Sequence, residues 1–400
     1  MRSFRVAAAV ATTAGTLAWA AFGISHAQPA FAGTARFVAT TGSDANPCTS
    51  GAPCLTVARA VSVASAGDTV VIGPGTFAGQ VHIDRPLTVS GAGASRTTLL
   101  QPPTMTADGA GKNDIVRIDN GATVSMSNLT VAGTGAGSCG GPGGVDQGIA
   151  VQGGASMSLS SAVVRNIGDP VTNGCQTGLA INIGRTGVGV GHASIASVLV
   201  TSYQKGGVVV RNPGSTLKMS GSTISDPPSP AIASNGVEIV DGAVGTVSGN
   251  TISGNECNLT TVCGPALTQT QSAGLLSIDA GAGTQITGNR VTANDIGIYA
   301  VNSTPAAVTI SGNNAGGNRD EDLFIDAGTS AATVTSNIAG GANYGIFFEG
   351  PGASGNTFAG NTATGNAVFD LIDDGNAGPN TFTGNRCGTA SPSKAHWGCR

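Results

Sequence analysis

Three aromatic residues recur at near-equal intervals in a chain that has few of them: Tyr299, Phe324 and Phe347, 25 and 23 residues apart. Each follows an aliphatic residue, Ile298, Leu323 or Ile346, in a short segment that reads as a strand. Successive strand side chains point to opposite faces, so taking Ile298, Leu323, Ile346 and Phe369 as inward sends Tyr299, Phe324, Phe347 and Asp370 outward. Leu276 and Glu238 continue this outward column toward the N-terminus. Rings stacked at a strand spacing of about 4.8 Å make a flat surface on which sugar rings can lie. The candidate substrate-binding residues are therefore Tyr299, Phe324 and Phe347, bordered by Glu238 and Asp370. The structural alternative is an aromatic packing ladder, worth about 1 kcal/mol per pair, covered by a loop or by the C-terminal tail that carries Trp397.

A second set is acidic. Asp322, Asp326, Asp373 and Asp374 are candidate ligands for calcium, a hard cation that takes about six to eight oxygens and would need two coils to supply them. Asp and Asn also bond their own main chain in turns, which is the structural reading of the same residues. No Asp-x-Asp-x-Asp-Gly loop accompanies them. Calcium is thus the one cofactor suggested, and the catalytic residues are unassigned. Nucleophile chemistry has no support, because there is no Gly-x-Ser-x-Gly run. Gly189-Val190-Gly191 makes no nucleotide site, since no helix pattern follows it.

These residues need a scaffold that repeats at their own interval. Segments beginning at Gly274, Gly297, Asp322, Gly345 and Val368 start 23, 25, 23 and 23 residues apart. Between them recur Asn/Gly turns, at Gly288-Asn289, Gly312-Asn313, Ser336-Asn337, Gly360-Asn361 and Gly384-Asn385. Short strands at such a period, with no helical pattern between them, predict a parallel β-helix in which each coil stacks on the last. Earlier anchors, at Ile115, Gly148, Gly178, Gly207 and Gly236, lie about 30 residues apart, so loops are inserted into those coils.

Composition agrees with a single solenoid. Of 400 residues, 63 are Gly and only 10% are charged, while 40% are hydrophobic, enough for a core. Residues 1–32 read as a secretory signal: Arg2 and Arg5 precede an apolar run too short to span a membrane, and small-residue cleavage sites end at Ala27 and Ala32. Without Arg2 and Arg5, 16 basic residues face 22 acidic ones, a net charge of −6 that argues against nucleic acid as partner. No further apolar run is long enough to span a membrane. Eight cysteines in an exported chain favour disulfides over a metal. Cys48 with Cys54, Cys257 with Cys263, and Cys387 with Cys399 are close in sequence; Cys139 and Cys175 sit before consecutive anchors.

At the N-terminal end, Phe37 to Thr40 predicts a first strand and Leu55 to Ala64 a short amphipathic helix that caps the exposed end of the stack. The run Thr41-Gly42-Ser43-Asp44-Ala45-Asn46-Pro47, then Pro53-Cys54-Leu55-Thr56-Val57, Gly67-Asp68-Thr69-Val70 and Gly75-Thr76-Phe77, resembles the N-terminal signature of secreted right-handed β-helix proteins of the pectin-lyase-like superfamily. The resemblance implies an all-β, single-stranded right-handed parallel β-helix. The expected organisation is a signal peptide at 1–32, a cap and first coils at 33–91, the β-helix at 92–388 and a tail at 389–400.

Motifs that the superfamily's enzymes use are incomplete here. Polygalacturonase-like members carry Asn-Thr-Asp, Asp-Asp, Gly-His-Gly and Arg-x-Lys; this chain has only Asp373-Asp374 and Gly191-His192-Ala193. The Asp-Pro-His-Asp of alginate-epimerase-like members is absent. Pectate-lyase-like elimination needs calcium and a basic side chain, for which Lys205, Lys218, Arg211 and Arg290 are available. The expectation is a secreted protein, extracellular or at a cell surface, that contacts polysaccharide or a cell-surface glycan without catalysis. A calcium-dependent uronate lyase and a structural or adhesive rod are the alternatives.

Overall fold

A computed structural model describes residues 33–137, 143–169, 175–226, 232–257, 271–301, 307–326, 328–349, 353–375 and 379–400. Residues 1–32, read above as a secretory signal, lie outside them, as do Cys139 and Cys263. From Gly33 onward the chain is one compact unit. Its strands form parallel sheets of 13, 12 and 8 strands, with a 3-stranded sheet toward the C-terminal end. Each strand pairs with the strand one coil before and one coil after it, which is the right-handed parallel β-helix. Among the described residues, no helix is long and apolar enough to cross a membrane.

The interior is built of like-on-like rows. In the 12-stranded sheet, Leu275, Ile298, Leu323, Ile346 and Leu371 are register partners and fully buried. In the 13-stranded sheet the corresponding row runs through Ile286, Ile310, Val334, Phe358 and Phe382. β-branched and other apolar side chains stacked at about 4.8 Å bury one another coil by coil, so no single coil has a core of its own.

The Asn residues of the turns are the other repeating element. Asn250, Asn289, Asn313, Asn337, Asn361 and Asn385 point inward and are buried. Each of the first five donates from Nδ2 to Oδ1 of the Asn one coil on, at 2.9–3.1 Å. That same Oδ1 accepts the donor residue's backbone N–H. From Asn289 onward, Nδ2 also donates to a backbone carbonyl of an earlier coil, at 2.8–3.0 Å. Every polar atom of a buried amide is thus used, which is what makes its burial affordable. A second, shorter ladder joins Asn255, Asn294 and Asn318.

Both ends are closed. The helix Val57–Val63 starts where the Thr56 side chain accepts the Arg59 N–H, and it buries Val57, Ala60 and Val61 against the first strands. Leu55, expected inside the helix, precedes the cap and is exposed. At the other end Trp397 is fully buried edge-on to Phe358 and Phe382, and its Nε1 donates to the Ser391 carbonyl. The last ladder amide, of Asn385, donates to the Trp397 carbonyl. Cys48–Cys54 and Cys387–Cys399 are disulfides at these two ends. Cys175 and Cys257 are also disulfide-bonded. The short strand Ala390–Ser391, placed in the tail by the sequence reading, extends the 12-stranded sheet.

Removing one rung should be costly. Asn313→Ala leaves the Asn289 backbone N–H without its acceptor, and takes one acceptor from Asn289 Nδ2 and one donor from the Ile286 carbonyl; an unsatisfied buried group costs about 1–3 kcal/mol. Urea unfolding should show a loss of roughly 2–5 kcal/mol for Asn313→Ala, against less than about 0.5 for the exposed neighbour Asn314→Ala. Equal losses at the two positions would contradict the ladder.

Candidate functional site

The outer face of the 12-stranded sheet carries the expected column, and the register is as read for most of its length. Glu238, Leu276, Tyr299, Phe324 and Phe347 are successive partners. The rings of Tyr299 and Phe324 are stacked with centroids 4.9 Å apart and planes 8° apart; Phe324 and Phe347 follow at 5.2 Å and 24°. The column then continues through Ile372, because Phe347 pairs with Ile372.

Asp370 is not part of it. The residue before the inward aliphatic position drops out of the residue-by-residue pairing and is Gly in most coils, where an added Cβ would meet buried groups: at Gly345 the Asn366 amide nitrogen lies 2.6 Å from it. Asp370 and Asp322 occupy this position, and both turn inward. Asp322 Oδ1 accepts from Asn318 Nδ2 at 3.0 Å and Asp370 Oδ1 from Asn366 Nδ2 at 2.9 Å. Phe369, expected inward, pairs with Tyr344 instead, and Leu371 takes the core position. Burial pushes the Asp370 carboxyl up, but the donors of Asn366, Thr389 and Gly388 outweigh it and hold it low.

The platform is also largely covered. Phe324 is 8% exposed and Phe347 4%, and with Ala273, Leu276 and Ile296 they form an apolar cluster outside the coil interior. Trp397 is not the cover, since it lies inside the end of the stack. Only Tyr299 keeps a half-exposed ring, and its hydroxyl donates to Asp326. Glu238 is buried and accepts from Asn235 Nδ2 at 2.9 Å; burial raises its pKa.

The four candidate calcium ligands point to different tasks. Asp322 ends the shorter Asn ladder, Asp326 takes the Tyr299 hydroxyl, Asp373 lies 2.7 Å from His396 Nε2, and Asp374 is exposed. Among the described residues, no group of three or more His, Cys, Asp or Glu side chains is arranged to hold a metal.

The polar chemistry lies at the other end of the same sheet. A cleft of about 210 Å³ is lined by Gln80, His82, Thr106, Lys112, Asp114 and Arg117. His82 and Arg117 are register partners in the same outward row as the aromatic column. His82 Nε2 lies 2.7 Å from Asp119 Oδ1, and Arg117 Nε lies 3.1 Å from Asp119 Oδ2, close enough for charge pairing though not aligned as a hydrogen bond. Lys112 Nζ pairs with Asp146 at 3.2 Å, and Arg185 Nη1 with Asp108 at 2.9 Å. Gln80 ties the rim together: its amide donates to the Thr106 and Asp114 carbonyls and accepts the Thr106 N–H.

Asp114 is the unusual member. It is 4% exposed, and neither carboxylate oxygen has a hydrogen-bond partner. Burial, reinforced by the charge of Asp108, pushes its pKa up to about 8. Burial acts on Asp108 too, but the N–H groups of Lys112 and Ala110, with Gln152 and Arg185, hold that carboxyl below its ordinary value. Their surroundings thus hold these two carboxyls in opposite protonation states at neutral pH. The sequence does carry a trace of this cleft: Lys112, Asp114, Arg117 and Asp119 crowd eight positions of a chain that is 10% charged.

Residues 206–387 match the family model described as right handed beta helix region. Among curated protein sequences nothing matches. Of solved structures, the Agl-KA catalytic domain is 14% identical with a TM-score of 0.56, covering 83% of this chain and 60% of its own. The Dettilon tailspike protein is 14% identical with a TM-score of 0.53, over 86% and 63%. The native GH136 lacto-N-biosidase from Eubacterium ramulus is 14% identical with a TM-score of 0.50, over 88% and 67%. This chain thus spans less than two thirds of the first two. Likeness at this identity is likeness of fold.

Several buried acids share the behaviour of Asp114. Burial raises Asp226 and Glu321 to about 8 and Asp322 to about 7. Such groups hold protons in the folded chain that the unfolded chain has already released, so stability falls as pH rises from about 4 to about 8. The melting temperature should be lower near pH 8.5 than near pH 5.5. A rise over that interval would contradict these protonation states.

Proposed function

We propose that this chain, a right-handed parallel β-helix protein of the pectin-lyase-like superfamily, contacts polysaccharide through the outer face of its 12-stranded sheet, outside the cell. The observation that carries this reading is the open polar cleft of His82, Lys112, Asp114 and Arg117 at the N-terminal end of a face that is elsewhere covered. Sugar hydroxyls need donors and acceptors fixed in place, and the cleft supplies the His82 imidazole and the Arg117 guanidinium on paired strands, with Lys112 and the Gln80 amide beside them. The fold shared with a lacto-N-biosidase and with a tailspike protein supports it at the level of architecture.

The aromatic column has a lesser part in this reading. Seven strand steps separate the His82 strand from the Tyr299 strand, roughly 34 Å at a strand spacing of about 4.8 Å. A long polymer bound in the cleft can reach Tyr299, whose ring is half-exposed, whereas Phe324 and Phe347 act as packing. Calcium-dependent elimination has weaker support, because Asp322, Asp326, Asp373 and Asp374 do not converge. Export is supported by the leader-like residues 1–32 and by the disulfides at both ends of the stack.

Affinity electrophoresis of the purified chain in gels containing neutral or acidic polysaccharides tests the reading. At least one polymer should retard it, His82→Ala should weaken that binding about tenfold, a loss of about 1.4 kcal/mol, and Phe347→Leu should leave it within about twofold. Migration unaffected by every polymer would remove the proposal.

A further inference from the structure

We infer that the binding groove continues from the cleft, over His82, onto the capping helix, and that it takes an extended oligosaccharide with sugar rings on both sides of the imidazole. This deepens the polysaccharide reading and rests on it.

Two hollows meet at one strand. Val81–Ile83 is the edge strand of the 12-stranded sheet, with strand Asp114–Ile118 paired to one side of it and the helix Val57–Val63 packed against it. The cleft opens between this strand and the segment from Thr106 to Arg117. A second hollow, of about 300 Å³, is lined by Ala58 and Ser62 of the helix and by Asp84 and Arg85 just beyond the strand. Gln80 and His82 line both. Joined at these residues, the two offer a volume inside the range of about 300–1,000 Å³ that small-molecule sites occupy.

The direction follows from burial. Toward the C-terminus the outward row runs from Arg117 through Ala150, Asn182, Val209 and Glu238, all of them buried. A run of sugars seated on His82 and Arg117 therefore meets no exposed side chain in that row before Tyr299. Toward the helix the surface is open. Ala58 and Ser62 are exposed, and the side chains of Asp84, Arg85 and His82 are 35%, 37% and 43% exposed.

The rim there suits hydroxyl groups. Arg85 Nε donates to Asp84 Oδ1 at 2.8 Å, so a carboxylate and a guanidinium stand side by side. One accepts and the other donates, and each sugar hydroxyl can do both.

Both walls are fixed before a ligand arrives. The helix buries Val57, Ala60 and Val61, and Arg85 Nη1 donates to the Ala64 carbonyl at its end, at 3.0 Å. On the opposite side Gln80 bonds both backbone groups of Thr106, and Arg185 pairs with Asp108 at 2.9 Å. A groove that needs no rearrangement loses little affinity to ordering.

The experiment takes a polymer that retards the chain in the binding gels, breaks it into a graded series of oligosaccharides, and measures the affinity of each for the intact protein by calorimetry. Affinity should rise about tenfold between the shortest oligosaccharide that binds and those a few sugars longer. Hydrogen exchange in residues 57–64 of the wild-type chain should slow when the longer ones are bound. Ala58→Leu fills the second hollow from the exposed side of the helix, and Asp84→Ala removes its acceptor; each should cut the gain with length to less than about threefold. Three results overturn the inference: an affinity that is flat with length, exchange in 57–64 that no oligosaccharide changes, or two variants that melt like the wild type and keep the whole gain. Because the first two are read on the wild-type chain, a poorly folding variant cannot decide the matter. A flat affinity leaves the contact reading standing, whereas absence of any binding removes both.

Discussion

A hydrogen bond from one asparagine amide to the next, repeated coil after coil, is the constraint on which this molecule depends. A parallel stack offers the backbone good pairing along the sheets but leaves the tight turns between them with buried polar groups. Asn289 through Asn361 settle that problem in one residue type, each amide bonding forward to the next rung and back to a carbonyl. The same bonds fix register. A slip of one residue would break every rung at once, which few contacts in a solenoid can enforce, since each coil touches only its neighbours.

Fixed register turns a sequence into rows, and the rows of one outer face divide the labour. Toward the C-terminus the row is apolar and covered, from Leu276 to Ile372, and it extends the core outward. Toward the N-terminus the same row holds His82 and Arg117, beside an open cleft. Asp114 is buried there without a partner on its carboxylate, as Glu321 is toward the other end, and such burial costs stability. Long rows of satisfied amides and stacked aliphatics offset the loss.

The fold was legible in the sequence because the C-terminal coils keep a nearly constant length. Intervals of 23 and 25 residues placed Ile298, Leu323 and Ile346 in one row, and the rings of Tyr299, Phe324 and Phe347 in the next. Alternation failed at Phe369 and Asp370, since the residue before inward Leu371 also turns inward, which breaks the period of two. The Asn turns were visible as turns, but a turn residue reads alike whether its side chain faces water or the core. The cleft was missed for a different reason. Its residues come from coils of unequal length, near 80, 112, 117, 146 and 185, so no period lines them up, and only three-dimensional stacking brings Lys112 to Asp146 or Asp108 to Arg185.

The central claim is that this rod works at one end of one face. Hydrogen exchange read by mass spectrometry, on the full chain with and without a polysaccharide that it binds, locates the contact directly. Slowed exchange should appear in the segments around residues 80–84 and 106–119, with little change from Leu276 to Ile372. Protection centred on Tyr299 to Phe347, with the cleft unchanged, would contradict the account.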